Sequence, residues 1–214
     1  MSELILNQLV ERCPILFNTI DKIRDCAQVI IKCYSAGGKV LVCGNGGSSA
    51  DSDHISGELM KSFENRRNID NNTSFKFKQI SSKRGHYIAS KLEPGLSAIS
   101  LSANSSLISA IANDMGADLV YAQQVYVYGN KGDVLIGIST SGNSQNIIDA
   151  IITAKAKDMV VVGLTGEDGG EVKNYCDILI NVPGKRTALI QELHLPVYHT
   201  ICMIIENHFF PKNC

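Results

Sequence analysis

Little in this chain favours nucleic acid, a membrane or a cysteine-bound metal. The formal net charge is −1, so the basic stripe that nucleic-acid binding needs is missing. No apolar run reaches the ~20 residues that cross a bilayer. The opening MSELILNQLVERC carries acids where a secretory signal would carry a basic start. Seven cysteines (Cys13, Cys26, Cys33, Cys43, Cys176, Cys202 and Cys214) include no C-x-x-C pair, which removes zinc-finger chemistry. Most sit in apolar patterns, where cysteine acts as a small hydrophobe, so reduced structural thiols in a cytoplasmic protein are expected. The Gly-Lys-Ser/Thr of a P-loop is absent too. What is present is a chain of 214 residues, 44% hydrophobic, long enough to bury a substantial core.

Apolar residues mark out a strand–helix alternation. Residues 2–36 read as helical: Pro14 suits a helix start, and Leu16, Ile20, Ile23, Ala27, Ile30 and Ile31 recur mostly three or four apart until Gly37-Gly38 stops them. Lys39–Cys43 reads as a short buried strand, and GNGGSS turns from it into a helix reaching about Phe63. Further strands are expected at 96–101, 133–138, 160–164 and 178–182, with helices at 105–112, 118–127, 144–157, near 170–175 and at 188–209. Continuous apolar strands alternating with helices imply an α/β fold, a five-stranded parallel sheet covered on both faces in a three-layer α-β-α sandwich. No repeat or linker divides 1–214, so one domain is expected. Residues 64–94 interrupt the pattern with a polar run that shows little apolar periodicity before Ile88. A loop of this length reads as a lid or interface arm, or as a disordered insertion.

Ligands of open parallel sheets collect beyond the carboxyl ends of the strands, and three strand ends here are unusual. Cys43 leads to GNGGSSAD, Ile138 to STSGNS and Leu164 to TGEDGG. STSGNS places the hydroxyls of Ser139, Thr140, Ser141 and Ser144 between a buried strand and a helix start. The unpaired N–H groups and the dipole of that first turn favour an anion, and hydroxyls add donors without fixed charge. A phosphate that must also leave suits such a site. GNGGSS only superficially matches a dinucleotide fingerprint, because its helix leads into the polar insertion and not to a second strand ending in an acid. A lone glycine-rich turn is commonly structural; two hydroxyl-rich strand–turn–helix units in one chain point to phosphate binding.

His54 and Glu58 lie four apart on the helix opened by Ser48-Ser49, so they share one face. Such a pair is often only a solvated surface pair, but this one follows a phosphate-type loop. The last helix supplies Gln191, Glu192, His194 and His199. Helical angles alone pair Glu192 with His199, although Pro196 should bend the helix and disturb that arithmetic.

GNGGSSADSDH, GDVLIGISTSGNSQNIIDAI, LTGEDGG and IQELHLPVYH together resemble the sugar isomerase (SIS) domain, and within it the phosphoheptose isomerases, over about residues 10–209. The resemblance implies a flavodoxin-like, Rossmann-like sheet and an aldose–ketose isomerisation of a phosphosugar. It implies one zinc per subunit on His54, Glu58, Gln191 and His199, which selects Gln191 where helical spacing selects Glu192. Glu58 would then be the general base and His199 the general acid. Phosphate contacts carry over to Ser48, Ser139, Thr140, Ser141 and Ser144, with Asn45 near the sugar. Asp114 falls where the family faces its substrate, although a buried capping role would explain it as well. The family's Asp-Arg before I-Q-E is Ala188-Leu189 here, and Ser62 stands in place of an arginine; these departures bear on which sugar is taken more than on the reaction. Relatives assemble as homotetramers with sites between subunits, and Ile5, Leu9, Leu16 and Ile20 would suit such a seam, though core packing explains them as well. The competing reading is a non-catalytic SIS protein, a phosphosugar-sensing regulator or a binder of the replication initiator.

Overall fold

A computed structural model describes residues 2–212, so Cys214 lies outside the described residues. The chain opens with α1 (Ser2–Arg12), a 3-10 segment at Pro14–Thr19 and α2 (Ile20–Ser35). Pro14 therefore starts a 3-10 turn, and the α-helix begins six residues later at Ile20. The central elements are β1 (Val40–Gly44), α3 (Gly47–Met60), α4 (Asn71–Ile80), α5 (Ser82–Ala89), β2 (Ala98–Ser100), α6 (Ser105–Asp114) and α7 (Ala122–Tyr128). Then come β3 (Val134–Ser139), α8 (Gln145–Ala156), β4 (Val160–Thr165), β5 (Ile178–Asn181) and α9 (Thr187–Phe209), with 3-10 turns at Ala117–Leu119 and Val172–Asn174.

All strand pairs are parallel, in the order β2-β1-β3-β4-β5. Alternate strand residues feed two apolar layers, as the period of two demands. Val40, Val42, Ile136, Ile138, Val162 and Leu164 join α1, α2, α3 and α9 on one face. Leu41, Cys43, Leu135 and Val161 join α6, α7 and α8 on the other. β2 is added on one side of β1 and β3–β5 on the other, and at that switch point the loops after β1 and β3 open side by side.

Of the two roles open to Ile5, Leu9, Leu16 and Ile20, the structure selects core packing: the first three are buried in this chain's own core and Ile20 packs against it, so they do not form an exposed seam. Residues 64–94 are not a featureless loop: α4 and α5 form a helical hairpin. The Asp70 carboxylate caps α4 by accepting the Thr73 N–H at 2.9 Å, and a Cβ on Gly85 would lie 1.8 Å from the Phe77 carbonyl, so the two helices cross closely. The apolar pattern is faint because α4 buries none of its residues and α5 buries only Gly85 and Ala89. Phe75, Ile80 and Tyr87 remain exposed.

Among the described residues α9 is the one helix long and apolar enough to cross a membrane. It packs on α1, α2 and α3, and Glu206 within it is buried. The Glu206 carboxylate accepts the N–H groups of Phe63, Glu64 and Asn65 and pairs with Arg67 Nη1 at 2.6 Å. The Arg67 guanidinium also lies 3.8 Å over the Phe210 ring and donates to the Pro94 carbonyl. This buried pair ties both ends of the insertion to α9. Removing one partner of such a pair strands the other charge in a dry site. Glu206→Ala is therefore expected to destabilise the protein by about 3–5 kcal/mol in urea unfolding, with Glu206→Gln losing less; an alanine variant as stable as wild type would remove the anchor role.

Candidate active site

Gly44 ends β1 beneath the first turn of α3, where a Cβ would lie 2.3 Å from the Ser48 carbonyl. Gly46 takes a left-handed φ of 56° to enter the helix, and no side chain caps it. The Ser48 and Ser49 N–H groups bond back to the Asn45 and Gly46 carbonyls at 3.0 Å, and with no side-chain cap the dipole at this helix start still favours an anion. Ser48 is buried within that turn. Across the switch point, β3 ends at Ser139 and α8 starts behind Ser144, whose side chain makes no capping bond. The Ser139 hydroxyl donates to the Ser144 hydroxyl at 3.1 Å, and Ser141 Oγ accepts the Asn143 N–H at 3.1 Å. Thr140 and Ser141 line a groove with Gly166 and Glu167 beyond β4.

The two loops are joined by a pair of amides. Asn45 donates to Asn146 Oδ1 at 2.8 Å and accepts from Asn146 Nδ2 at 3.0 Å. Tyr121 donates to the Gly44 carbonyl at 2.5 Å, with Asn45 Oδ1 at 3.2 Å. Sequence reasoning misses both Asn146 and Tyr121. The position of Asn146 on the first turn of α8 is a signal that could have found it; nothing about Tyr121 in the sequence singles it out.

Helices α3 and α9 run in step. A Cβ on Gly47 would touch the Gln191 amide, Glu58 faces His199, and Phe63 binds Glu206. Midway along this pair, Glu58 Oε1 stands 3.0 Å from His54 Nε2 and 3.2 Å from His199 Nε2. Glu58 is buried, His199 half-buried and His54 exposed. Burial pushes the Glu58 carboxyl up to about 7, partly opposed by the Cys202 thiol and Lys61. Burial likewise lowers the affinity of His199 for a proton, and neighbouring His54 adds to the effect. Phe63 packs on the His199 ring with centroids 5.4 Å apart.

Both carboxylate oxygens of Glu58 and Nε2 of His199 are buried without an aligned hydrogen-bond partner. Ligand atoms of His54, Glu58 and His199 all lie within 4.8 Å of one another. Two imidazole nitrogens and one carboxylate, unsatisfied and convergent, can hold a metal ion. Gln191 faces the start of α3, about 12 Å from His199 by helical rise. Glu192, which helical angles pair with His199, is exposed and stands outside this group. His194 is a core residue, completely buried, with Nε2 at 3.2 Å from the Thr165 carbonyl and its pKa pushed down to about 4 by burial. Asp114 is exposed at the end of α6, where its carboxylate accepts from the adjacent Asn113 at 2.8 Å; the buried capping role is excluded.

The raised pKa of Glu58 has a stability consequence. Its folded value lies above its unfolded one, so the folded state binds the proton more tightly. Stability is lost as pH rises from the unfolded value through about 7. In chelator-treated protein Glu58→Gln is therefore expected to add about 2–3 kcal/mol at pH 8 and little at pH 5. Urea unfolding at the two pH values measures this; equal gains at both would show that burial of the charge is not the cause.

The SIS domain family model matches residues 14–91 and 88–166. A phosphoheptose isomerase from Burkholderia pseudomallei is 41% identical over 197 residues, covering 92% of this chain and 85% of that protein. A solved phosphoheptose isomerase from Neisseria gonorrhoeae is 36% identical, with a TM-score of 0.71 over 94% of this chain and 91% of its own. Another from Francisella tularensis is 32% identical, with a TM-score of 0.74 over 97% and 99% of the two chains. The sheet order, the two hydroxyl-rich strand ends and these similarities agree: the chain belongs to the SIS domain family, among the phosphoheptose isomerases.

Proposed function

We propose that this protein is an aldose–ketose isomerase that converts sedoheptulose 7-phosphate to D-glycero-D-manno-heptose 7-phosphate. One observation carries the reading. A buried carboxylate faces two imidazoles at 3.0 and 3.2 Å, in a chain 41% identical to a phosphoheptose isomerase. A base that must take a proton from carbon and return it at neutral pH works best with a pKa near that pH, and burial raises Glu58 toward that range in the metal-free site. The non-catalytic SIS alternative leaves the combination of Glu58 with His199 without a purpose.

Isomerisation moves one proton between adjacent carbons and another between their oxygens. Glu58 takes the proton alpha to the carbonyl and returns it to the neighbouring carbon through a cis-enediol. His199 acts as the acid on the sugar oxygens. Ser48, Ser139, Thr140, Ser141 and Ser144 hold the phosphate together with the N-termini of α3 and α8, and Asn45, fixed by Asn146, meets the sugar. Asp114 is assigned to a sugar hydroxyl. His54, Glu58 and His199 would hold one zinc per subunit, and bound zinc supplies polarisation of the substrate carbonyl; Gln191, which the resemblance implies as the fourth ligand, stands against Gly47 at the start of α3 and is assigned to the substrate.

The same reading takes residues 1–214 as one SIS domain carrying an insertion at 64–94, working in the cytoplasm as a homotetramer with sites between subunits. Exposed Phe17, Phe75 and Ile80 offer apolar surface for such contacts. Light scattering at four times the chain mass is expected; a monomer would eliminate shared sites.

Activity is tested by following aldose formation from sedoheptulose 7-phosphate, alongside other ketose phosphates because Ser62, Ala188 and Leu189 depart from the family pattern. Glu58→Gln and His199→Ala should each lower kcat by about 10²–10⁴-fold while circular dichroism is unchanged. No turnover of any ketose phosphate with zinc present would sink the proposal.

A further inference from the structure

We propose that Tyr121 is a positioning residue: its hydroxyl stands in for the missing end of the β2 ladder, pins the Gly44–Asn45 peptide and so holds the Asn45 amide at the mouth of the site. The residue set that the family resemblance supplies does not include it.

The sheet creates the need for such a group. In a parallel pair, the residues that bond to one neighbouring strand recur at every second position. On the β2 side of β1 the Val40 N–H donates to the Ser97 carbonyl, and the Val42 carbonyl accepts the Leu101 N–H at 2.9 Å. The Gly44 carbonyl comes next on that side, where residue 103 would supply its partner. β2 ends at Ser100, however, and the Ala103 N–H is turned back onto the Ser100 carbonyl. The last carbonyl of β1 thus outruns its ladder, and a backbone carbonyl left unpaired beside a core is costly.

Two hydroxyls take the place of that N–H. Tyr121 donates to the Gly44 carbonyl at 2.5 Å, and Ser102 donates to it at 3.2 Å. Tyr121 is 5% exposed, so packing fixes its ring. Burial also raises its phenol above the ordinary value, which keeps the donated hydrogen in place. The carbonyl that it holds belongs to the peptide whose nitrogen is that of Asn45, so this bond sets where Asn45 leaves the strand. Asn45 Oδ1 lies 3.2 Å from the phenol oxygen, farther than the carbonyl, so the hold on Asn45 runs through the backbone. Asn45 is exposed, and beyond this brace its amide is held by the pair with Asn146. The brace stands on hydrogen-bond geometry alone; its effect on turnover rests on Asn45 meeting the sugar, as proposed above.

Two measurements on the full chain test this. In protein ¹⁵N-labelled at asparagine, the side-chain amides of Asn45 and Asn146 should exchange with solvent more slowly than that of exposed Asn72. Tyr121→Phe keeps the ring and removes the hydroxyl; it should speed exchange at both by about 10-fold. In turnover of sedoheptulose 7-phosphate, Tyr121→Phe should lower kcat/KM by about 10-fold. The same change made in Asn45→Ala should cost nothing further, because the residue it acts through is gone. A general weakening of the fold would instead lower activity by the same factor in both backgrounds. Fast exchange of both amides in wild type would overturn the brace, even if the variant failed to fold. Unchanged exchange in folded Tyr121→Phe, or an equal loss of activity with and without the Asn45 side chain, would overturn it as well. The expected exchange pattern, in a protein that turns over no ketose phosphate, would uphold the brace and defeat only the isomerase reading.

Discussion

Glu58 is held, nearly dry, between two histidines because α3 and α9 pack in step, and the chemistry of the site depends on that packing. The sheet alone does not bring these groups together. Helix α3 leaves β1 at the switch point and carries Ser48, Asp51, His54 and Glu58 along one side. The helix that returns after β5 supplies Gln191, Tyr198, His199 and Glu206 against it. A shift of one turn between the helices, about 5.4 Å, would part Glu58 from His199 and break the binding of Glu206 to residues 63–65. The register is thus fixed at three places, and the middle one bears the reacting groups. An unpaired buried carboxylate opposes folding above its unfolded pKa. The ion pair of Glu206 with Arg67 and the apolar layer beneath α9 hold the helices together against it.

The phosphate end works on a different physical basis. Lys185 lines the groove beside Thr140 and Ser141, but its charge is paired with Glu167 at 3.1 Å, so the cradle proposed at Ser48 and Ser139–Ser144 has no free cationic side chain of its own. Two helix N-termini meet there, each offering partial positive charge and N–H donors, with hydroxyls filling the gaps. Such a site binds a dianion without a permanent counter-charge, which suits a substrate that has to depart each turnover. The Asn45–Asn146 amide pair keeps the two loops at a fixed separation, so the phosphate and the sugar carbons are located relative to one frame. Position matters more than strength in this arrangement, because misplacing the reacting carbons relative to Glu58 costs rate directly.

Much of this arrangement is legible in the amino-acid sequence. Short, β-branched apolar runs bounded by turn residues, such as VLIGI and VVVGL, read as strands buried on both faces, and all five strands and the final helix fall within a few residues of their expected places. The i,i+4 spacing puts His54 and Glu58 on one face because a regular helix permits nothing else. Spacing fails where the partner comes from another element. Glu192 matches His199 by angle, yet the carboxylate that meets His199 belongs to α3, and no periodicity within one helix encodes that. Tyr121 escapes notice for the same reason: the carbonyl it holds ends β1. Asp114 is placed by family resemblance, and its hydrogen bond in the structure is local. The hairpin at 71–89 is hidden because helices that bury almost nothing leave little apolar pattern to read. Its visible signals are a cap at Asp70 and a tight crossing at Gly85, both of which look like loop chemistry in a sequence.

The hairpin's attachment says how the insertion bears on the site. The Ser62 N–H donates to the Glu93 carboxylate at 3.0 Å, and Arg67 donates to the Pro94 carbonyl at 2.7 Å, so its two ends are closed on each other at the base. That base is fastened to Glu206, seven residues beyond His199 and therefore on the same face of α9. Phe63, the first residue of this attachment, also lies against the His199 ring. One aromatic contact and one buried ion pair thus connect the base of the hairpin to the proposed catalytic acid.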